Sequence, residues 1–354
     1  VGAFVHRTLD RRAAAFCIAW LGSAEIASPA TPPPLTGIIV ASDSTDEAAP
    51  ANLYVATPDG TILRYLTHDT NWNRNAGWSY DGTRVAWNVR NSTGGIWVMD
   101  AYGRHKQELT AQPGGAPSHA FGPAFSPDGK HIVYADYVRG SPGPNPLVGI
   151  EVYVMNANGA FKRRLTSTTV SGKTNTHTII RWSERPAYSP DGTKIVYSST
   201  QSGNSEIWVM NADGTSPTQL TFDANTNGPE GPDANFPSFS PDGTKIVFLC
   251  GWETLYGNIC VMNADGSGRI QLTHNPDDGL KMDEPSSDEP AWSPDGLSIM
   301  FDSNQYDPTL GRRAAETWVM NADGSDQRVL IPHLYGEGHN PWIRAPVANL
   351  YGSR

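Results

Sequence analysis

The sequence has no run of about 18 apolar residues, the least a membrane-spanning helix needs, so a polytopic membrane protein is excluded. It has no basic excess either. Only 26 Lys and Arg stand against 36 Asp and Glu, a formal charge of -10, whereas a nucleic-acid surface needs a basic face to neutralise phosphates. Cysteine is scarce, with three in 354 residues and no CxxC pair. HExxH, GxSxG and a phosphate-cradling glycine loop are also missing, which removes the contiguous signatures of zinc proteases, serine hydrolases and nucleotide enzymes. Long helices have little room, because 35 Gly and 28 Pro recur along the chain and both interrupt helical hydrogen bonding. What is there, 38% hydrophobic residues with 10% aromatics, suits a packed core of short strands and many turns.

The nearest thing to an apolar run is Ala13 to Leu21, AAAFCIAWL, preceded by Arg7, Arg11 and Arg12 and followed by Gly22, Ser23 and Ala24. That order of basic, apolar and small residues has the form of a secretory signal peptide, and its alternative is an N-terminal arm packed on the domain.

A repeat dominates the rest. One half of it reads PAFSPDGKHIVY from Pro123, PAYSPDGTKIVY from Pro186, PSFSPDGTKIVF from Pro237 and PAWSPDGLSIMF from Pro290, with a looser copy, AGWSYDGTRVAW, from Ala76. The other half reads IWVMNADG from Ile207, with relatives from Asn52, Ile96, Val152, Ile259 and Thr317, and most copies close on Leu-Thr. The Asp markers of the first half, 81, 128, 191, 242 and 295, are 47, 63, 51 and 53 residues apart, so length varies between the motifs. Ser-Pro-Asp-Gly is a tight turn: Pro presets φ, Asp bonds nearby amides and Gly takes the positive φ. Alternating apolar residues in KIVY and IWVM suit strands packed between neighbouring sheets. A calcium-loop reading of the Asp residues lacks the carboxylate count and the distal Glu.

These motifs resemble TolB-like propellers built from WD40-like, or PD40, repeats, over about residues 37 to 343. The resemblance implies an all-β fold: a six-bladed β-propeller of four-stranded antiparallel blades. Gly37 to Thr67 supplies three strands of the first blade, and HNPWIR, from His339, resembles the missing innermost strand, so a C-terminal strand is expected to join the N-terminal blade and close the ring. The expected organisation is a signal-like segment or arm at 1–36, the propeller at 37–343 and a tail at 344–354. That leaves about 36 residues ahead of the first blade and a dozen after Trp342, too few for the α/β domain that precedes the propeller in TolB or the hydrolase domain of related peptidases.

Both tight turns of each repeat fall on one face, so the long connections gather at the other, around the channel mouth. Loops of that length on a rigid scaffold are where binding resides. The ligand-binding candidates are Trp72, Arg74 and His119, then His177, Arg181, Trp182 and Glu184, then Glu230, Asp233 and His274, and finally Asp283, Glu284, Asp288, Glu289 and His339. Acidic residues from Asp277 to Glu289 form a negative side of this rim, and Arg74, Arg181 and Arg185 a positive one, an arrangement that suits a peptide or glycan better than a single ion. The acidic run also reads as a solvated loop.

The second half-motif has an aromatic after its first apolar residue in every copy but one, where Cys260 stands, in the only repeat that also holds Cys250. Across a hairpin centred near Tyr256 the two sit close to opposite each other, so a Cys250 to Cys260 disulfide is expected, and with it a periplasmic or secreted location. The reading that results is a non-enzymatic binding or scaffolding propeller with a protein, peptide or glycan partner. It expects no nucleic acid, no transmembrane span and no cofactor, with the N-terminal segment as a route to peripheral membrane association. Two alternatives stay open: a metal-assisted carbohydrate lyase or hydrolase with a divalent cation at the channel mouth, and a structural subunit of a larger envelope or extracellular assembly.

Overall fold

The computed structural model describes residues 38–43, 50–90, 94–112, 118–139, 147–167, 181–222, 234–251, 257–274, 287–303, 306–307, 312–313, 316–331 and 342–343. All fall in the compact unit spanning residues 33–354. Among them there is no helix, and so none long and apolar enough to cross a membrane.

Strands follow the repeat. The first repeat gives β1 (Ile38–Ser42), β2 (Leu53–Ala56) and β3 (Ile62–Tyr65), and the second β4 (Trp72–Trp78), β5 (Arg84–Arg90), β6 (Ile96–Asp100) and β7 (Gln107–Glu108). Then come β8 (Phe121–Phe125), β9 (His131–Arg139), β10 (Leu147–Asn156) and β11 (Arg163–Arg164), followed by β12 (Arg181–Tyr188), β13 (Lys194–Ser199), β14 (Glu206–Asn211) and β15 (Thr218–Gln219). The next are β16 (Asn235–Phe239), β17 (Lys245–Cys250), β18 (Asn258–Asn263) and β19 (Ile270–Gln271). The last repeat holds β20 (Ser287–Trp292), β21 (Ser298–Ser303), a two-stranded ribbon of β22 (Tyr306–Asp307) and β23 (Arg312–Arg313), then β24 (Glu316–Asn321) and β25 (Arg328–Ile331). Finally β26 (Trp342–Ile343) returns to pair with β1, Ile39 opposite Trp342.

The expectation of six four-stranded antiparallel blades is corrected by the sheets themselves. Four are four-stranded blades: β26-β1-β2-β3, β4 to β7, β16 to β19, and β20-β21-β24-β25. The strands β8 to β15 instead form one eight-stranded sheet, joined by a parallel pairing of Gly149 and Ile150 with Arg181 and Trp182. The cause is the length of the β9/β10 hairpin. At nine and ten residues it outruns the corresponding hairpins, so the start of β10 reaches the start of the next repeat's innermost strand.

The core lies between successive repeats, each face of one packing on the next. Val40 and Leu53 meet Trp78 and Trp87; Ala86 and Ile96 meet Phe125 and Tyr134; Val133 and Val152 meet Tyr188 and Tyr197. Val196 and Ile207 then meet Ile246 and Phe248, and Val247 and Ile259 meet Trp292 and Phe301. Met300 and Val319 pack on Ile39 and Tyr54, which closes the circuit. Each buried Val, Leu, Ile, Phe or Met side chain among these contributes about 1.5–3 kcal/mol.

Two recurring polar devices hold the strands in register. In the Ser-Pro-Asp-Gly turns the Ser hydroxyl donates to the Asp carboxylate, as Ser240 to Asp242 at 2.6 Å, and the same oxygen accepts the Thr244 amide at 3.0 Å. These carboxylates are occupied within their own turns. The Thr of Leu-Thr works deeper: Thr221 Oγ1 accepts the Ile207 amide at 2.9 Å and donates to the buried Glu206 at 2.5 Å, and Thr166 does the same for Val152 and Glu151. Glycine of the second turn is required for contact as well as for φ. At Gly266, φ is +89° and a Cβ would lie 2.9 Å from the carbonyl oxygen of Leu220 in the preceding repeat.

Candidate functional site

Five innermost strands among those described break at a bulge, four of them at the repeat's Pro, which has no amide hydrogen to offer a ladder, and the fifth at Ala76, which stands in its place. The breaks are bulges at Asn75-Ala76, Gly122-Pro123, Arg185-Pro186, Phe236-Pro237 and Glu289-Pro290, which interrupt the pairing of β4, β8, β12, β16 and β20 with their neighbours. The first residue of each bulge has positive φ: 51°, 60°, 53°, 52° and 46°. Only one of the five is glycine. For the others this is a costly backbone region, and a bulge is a means of re-aiming a side chain.

Three of these positions, Arg185, Phe236 and Glu289, bring their side chains into one cluster with Phe121, which precedes Gly122. The Arg185 guanidinium carbon lies 4.3 Å from the ring centre of Phe236 and 5.7 Å from that of Phe121, and its Nη1 lies 3.6 Å from Glu289 Oε1. Four innermost strands thus contribute to one cluster, and the Arg185 to Glu289 pair reaches past the strand between them, β16. The pair is mostly withdrawn from solvent, with side chains 18% and 11% exposed, so its charges interact more strongly than a surface pair's. Tyr137 extends the cluster outward, edge-on to His119 at 5.6 Å and 6.1 Å from Phe121.

On the neighbouring strand β4, the Trp72 indole receives two cations, Arg90 at 5.3 Å and Arg74 at 5.8 Å. Asn73 is structural: its Nδ2 donates to the Ala51 carbonyl and to Asp69, and its Oδ1 accepts the Trp87 indole hydrogen at 2.9 Å.

The candidates named from sequence are placed unevenly. Trp72 and Arg74 adjoin each other, Glu289 joins Arg185, and His119 borders the cluster through Tyr137. Glu184 Oε1 accepts a hydrogen bond from Asn235 Nδ2 at 3.3 Å, which ties β12 to β16. Trp182 sits in the parallel pairing with Ile150, and the Nδ1 of His274 meets Gln271 Nε2 within its own repeat. Arg181 and Asp288 lie in β12 and β20, their side chains outside the described set. His177, Glu230, Asp233, Asp283, Glu284 and His339 lie outside the described residues. Among the described residues no three His, Cys, Asp or Glu side chains are placed to hold a metal ion. Sequence reasoning missed Phe121 and Phe236 and put Arg185 only on the rim; for Phe236 and Arg185 the available signal was the position one step ahead of the motif's Pro, whereas Phe121 stands two steps ahead.

Cys250 and Cys260 are joined by a disulfide with a Cα separation of 5.7 Å. The register places Asn258 opposite Cys250 and Phe248 opposite Cys260, so the bond is diagonal. In four other repeats this cross-strand position holds an aromatic pair, Trp87 with Trp97, Tyr134 with Tyr153, Tyr197 with Trp208 and Phe301 with Trp318. Here Phe248 keeps its place, Cys260 stands where the second aromatic would be and bonds diagonally to Cys250, and Arg269 stands 5.5 Å over Phe248.

The family described as the TolB beta propeller domain, PD40, matches residues 36–233, more than half of the chain. The chain belongs to this family. A Tol-Pal system protein TolB of Anaeromyxobacter dehalogenans is 34% identical to it over 91 residues, 26% of this chain and 19% of that protein. The structure of TolB from Acinetobacter baumannii superposes with a TM-score of 0.61 at 18% identity, covering 82% of this PD40 chain and 62% of that one. An oligogalacturonate lyase from Vibrio parahaemolyticus superposes with a TM-score of 0.52 at 14% identity, covering 83% and 79%. At such identities the structural likenesses establish the fold alone.

Proposed function

We propose that this PD40 propeller is an exported binding module that recognises a protein or peptide partner at its channel face and performs no chemistry of its own. The observation that carries the reading is the convergence of Arg185, Glu289, Phe121 and Phe236 from four innermost strands into one mostly buried aromatic and charged cluster. Buried Arg and aromatic anchors are the groups that dominate binding energy at protein interfaces. Strained backbone at equivalent positions of successive repeats is retained where it positions side chains for use.

Export to the periplasm is supported by the buried Cys250 to Cys260 disulfide, which persists in oxidising compartments. The TolB relatives lend the same direction by family. Native mass spectrometry of the protein isolated from its own source, with metal analysis of the same sample, tests the reading. A co-purifying protein or peptide without stoichiometric metal is expected. One tightly held transition metal per chain would overturn the binding role in favour of metal-assisted chemistry.

A further inference from the structure

We propose that the crevice between the third and fourth repeats, on the tight-turn face, is a second binding site that takes an uncharged apolar segment of a protein partner. It lies opposite the channel mouth and does not depend on the channel reading. The crevice holds about 890 Å³, within the range of ligand pockets, and Val154, Met155 and the Tyr188 ring line its apolar floor. One repeat earlier Arg84 spans the equivalent gap, its Nη2 donating to the Gly129 carbonyl at 2.6 Å and its guanidinium carbon 4.9 Å from the Phe125 ring. His131 opens β9 as Arg84 opens β5, and its shorter ring makes no such bridge among the described residues.

Two residues of the crevice depart from the repeat. Tyr188 is 7% exposed, and its hydroxyl has no hydrogen-bond partner among the described residues. The four equivalent positions hold Trp78, Phe125, Phe239 and Trp292, which bring no hydroxyl. Burial, with the charge of Asp128 added, holds the Tyr188 phenol above its usual range, so it stays a neutral donor facing a crevice that Asp128 also lines. Phe161, at the mouth, is 84% exposed with φ of +53°, a costly region for an aromatic residue. Its counterparts are His105, Ser216, Gly268 and Asp326, all polar or glycine. Neither burial nor backbone preference accounts for a phenylalanine there, whereas an apolar side chain from a ligand does.

The walls favour a neutral occupant. An anion meets Asp128, Asp191 and Asp213, and a cation meets Lys162 and Arg163. Arg163 Nη1 donates to the Asp213 carbonyl at 3.0 Å, a bond between the two repeats, and the same repeats share one sheet. The width of the crevice is thus fixed before a ligand arrives. A backbone carbonyl of the segment accepts from Tyr188 while the neighbouring apolar side chain lies against Phe161 and Val154. A flat membrane surface could meet Phe161 but not the hydroxyl on the floor.

The test pans a phage-displayed random peptide library on the immobilised full chain after depletion on a Phe161→Ser, Tyr188→Phe double variant. Ser216 and Phe239 already hold those residue types at the equivalent places, and equal urea midpoints check that the variants fold. Survivors, titrated by fluorescence anisotropy, are expected to share an aromatic or leucine residue and to require no charge. On the wild-type chain, which needs no variant to fold, replacing that residue by Asp or by Lys weakens binding about tenfold or more. Phe161→Ser weakens it similarly, Tyr188→Phe about fivefold, and Arg185→Gln leaves it unchanged. No survivors, survivors with a required charge, full affinity in Tyr188→Phe, or loss in Arg185→Gln overturns the inference. So does sedimentation with phosphatidylglycerol vesicles that is abolished by Phe161→Ser, which would make Phe161 a membrane anchor. None of these results removes the channel reading.

Discussion

Arg185 Nη1 and Glu289 Oε1 lie 3.6 Å apart although their strands, β12 and β20, are separated by an entire repeat. Each residue precedes a proline, each has positive φ, and each is the unpaired residue of a bulge. The same bulge occurs without proline at Asn75-Ala76, and at Arg185 and Glu289 it turns a side chain toward its counterpart from another repeat.

The Leu-Thr hydroxyl makes two buried hydrogen bonds within its repeat. Thr221→Val keeps the shape, yet it takes the hydroxyl from buried Glu206 and leaves the Ile207 amide without its acceptor. The expected loss is about 2–3 kcal/mol, read as a lower urea midpoint with an unchanged slope. A change under about 0.5 kcal/mol would show that the carboxylate is held by its other contacts.

Gly266→Ala should cost about 2 kcal/mol or more, because positive φ and the Leu220 carbonyl at 2.9 Å both oppose a Cβ. Gly251→Ala is the comparison. Its φ is also positive, at +78°, but nothing lies within 4 Å, so it should lose only the backbone part. Equal losses in the two variants would remove the contact between repeats from the account.

Thiol titration of unfolded, unreduced protein should find one thiol in the chain of three cysteines, that of Cys17, and three after reduction. Replacing Cys250 and Cys260 by Ala should cost roughly 2–3 kcal/mol for a loop of this size, given the sequence separation of 10. Three reactive thiols before reduction would contradict the disulfide.

Acid should weaken the turns. Donation from Ser126, Ser189 and Ser240 holds the carboxyls of Asp128, Asp191 and Asp242 below their usual range, aided by the amides of Lys130, Thr193 and Thr244. A carboxyl lowered in the folded state adds stability that is complete above its unfolded value, about 3.9, and is lost as pH falls through the folded one. The urea midpoint should therefore stay level from about pH 7 to 5 and fall below about pH 4. The fall should be shallow, since these carboxyls are largely solvated, and shallower still in Ser189→Ala.

Strands and turns were legible because their signals are local: alternation in KIVY, and Pro, Asp and Gly at fixed places in the turn. The sheet boundaries were not. The junction of Gly149 and Ile150 with Arg181 and Trp182 depends on how far the β9/β10 hairpin extends, and in sequence that extension shows only as part of a wider 63-residue spacing. The channel cluster was half legible for a different reason. Phe121 stands two residues ahead of its repeat's proline, and Arg185, Phe236 and Glu289, which share no chemistry, stand directly ahead of theirs. Periodic patterns mark faces of regular strands, and these last three residues occupy the one irregular point of theirs. The disulfide was inferred from a missing aromatic, but the diagonal register that sets Cys260 opposite Phe248 needed the strand pairing.

The central claim is that partners engage the channel face. A photo-crosslinking residue placed at His119, exposed beside the cluster, and separately at Tyr102, 42% exposed on the tight-turn face, tests it in cells of the source organism. The account predicts a discrete partner adduct from position 119, lost when Arg185→Gln is added, and none from position 102. Adducts from position 102 alone, or equal adducts from both, would contradict it.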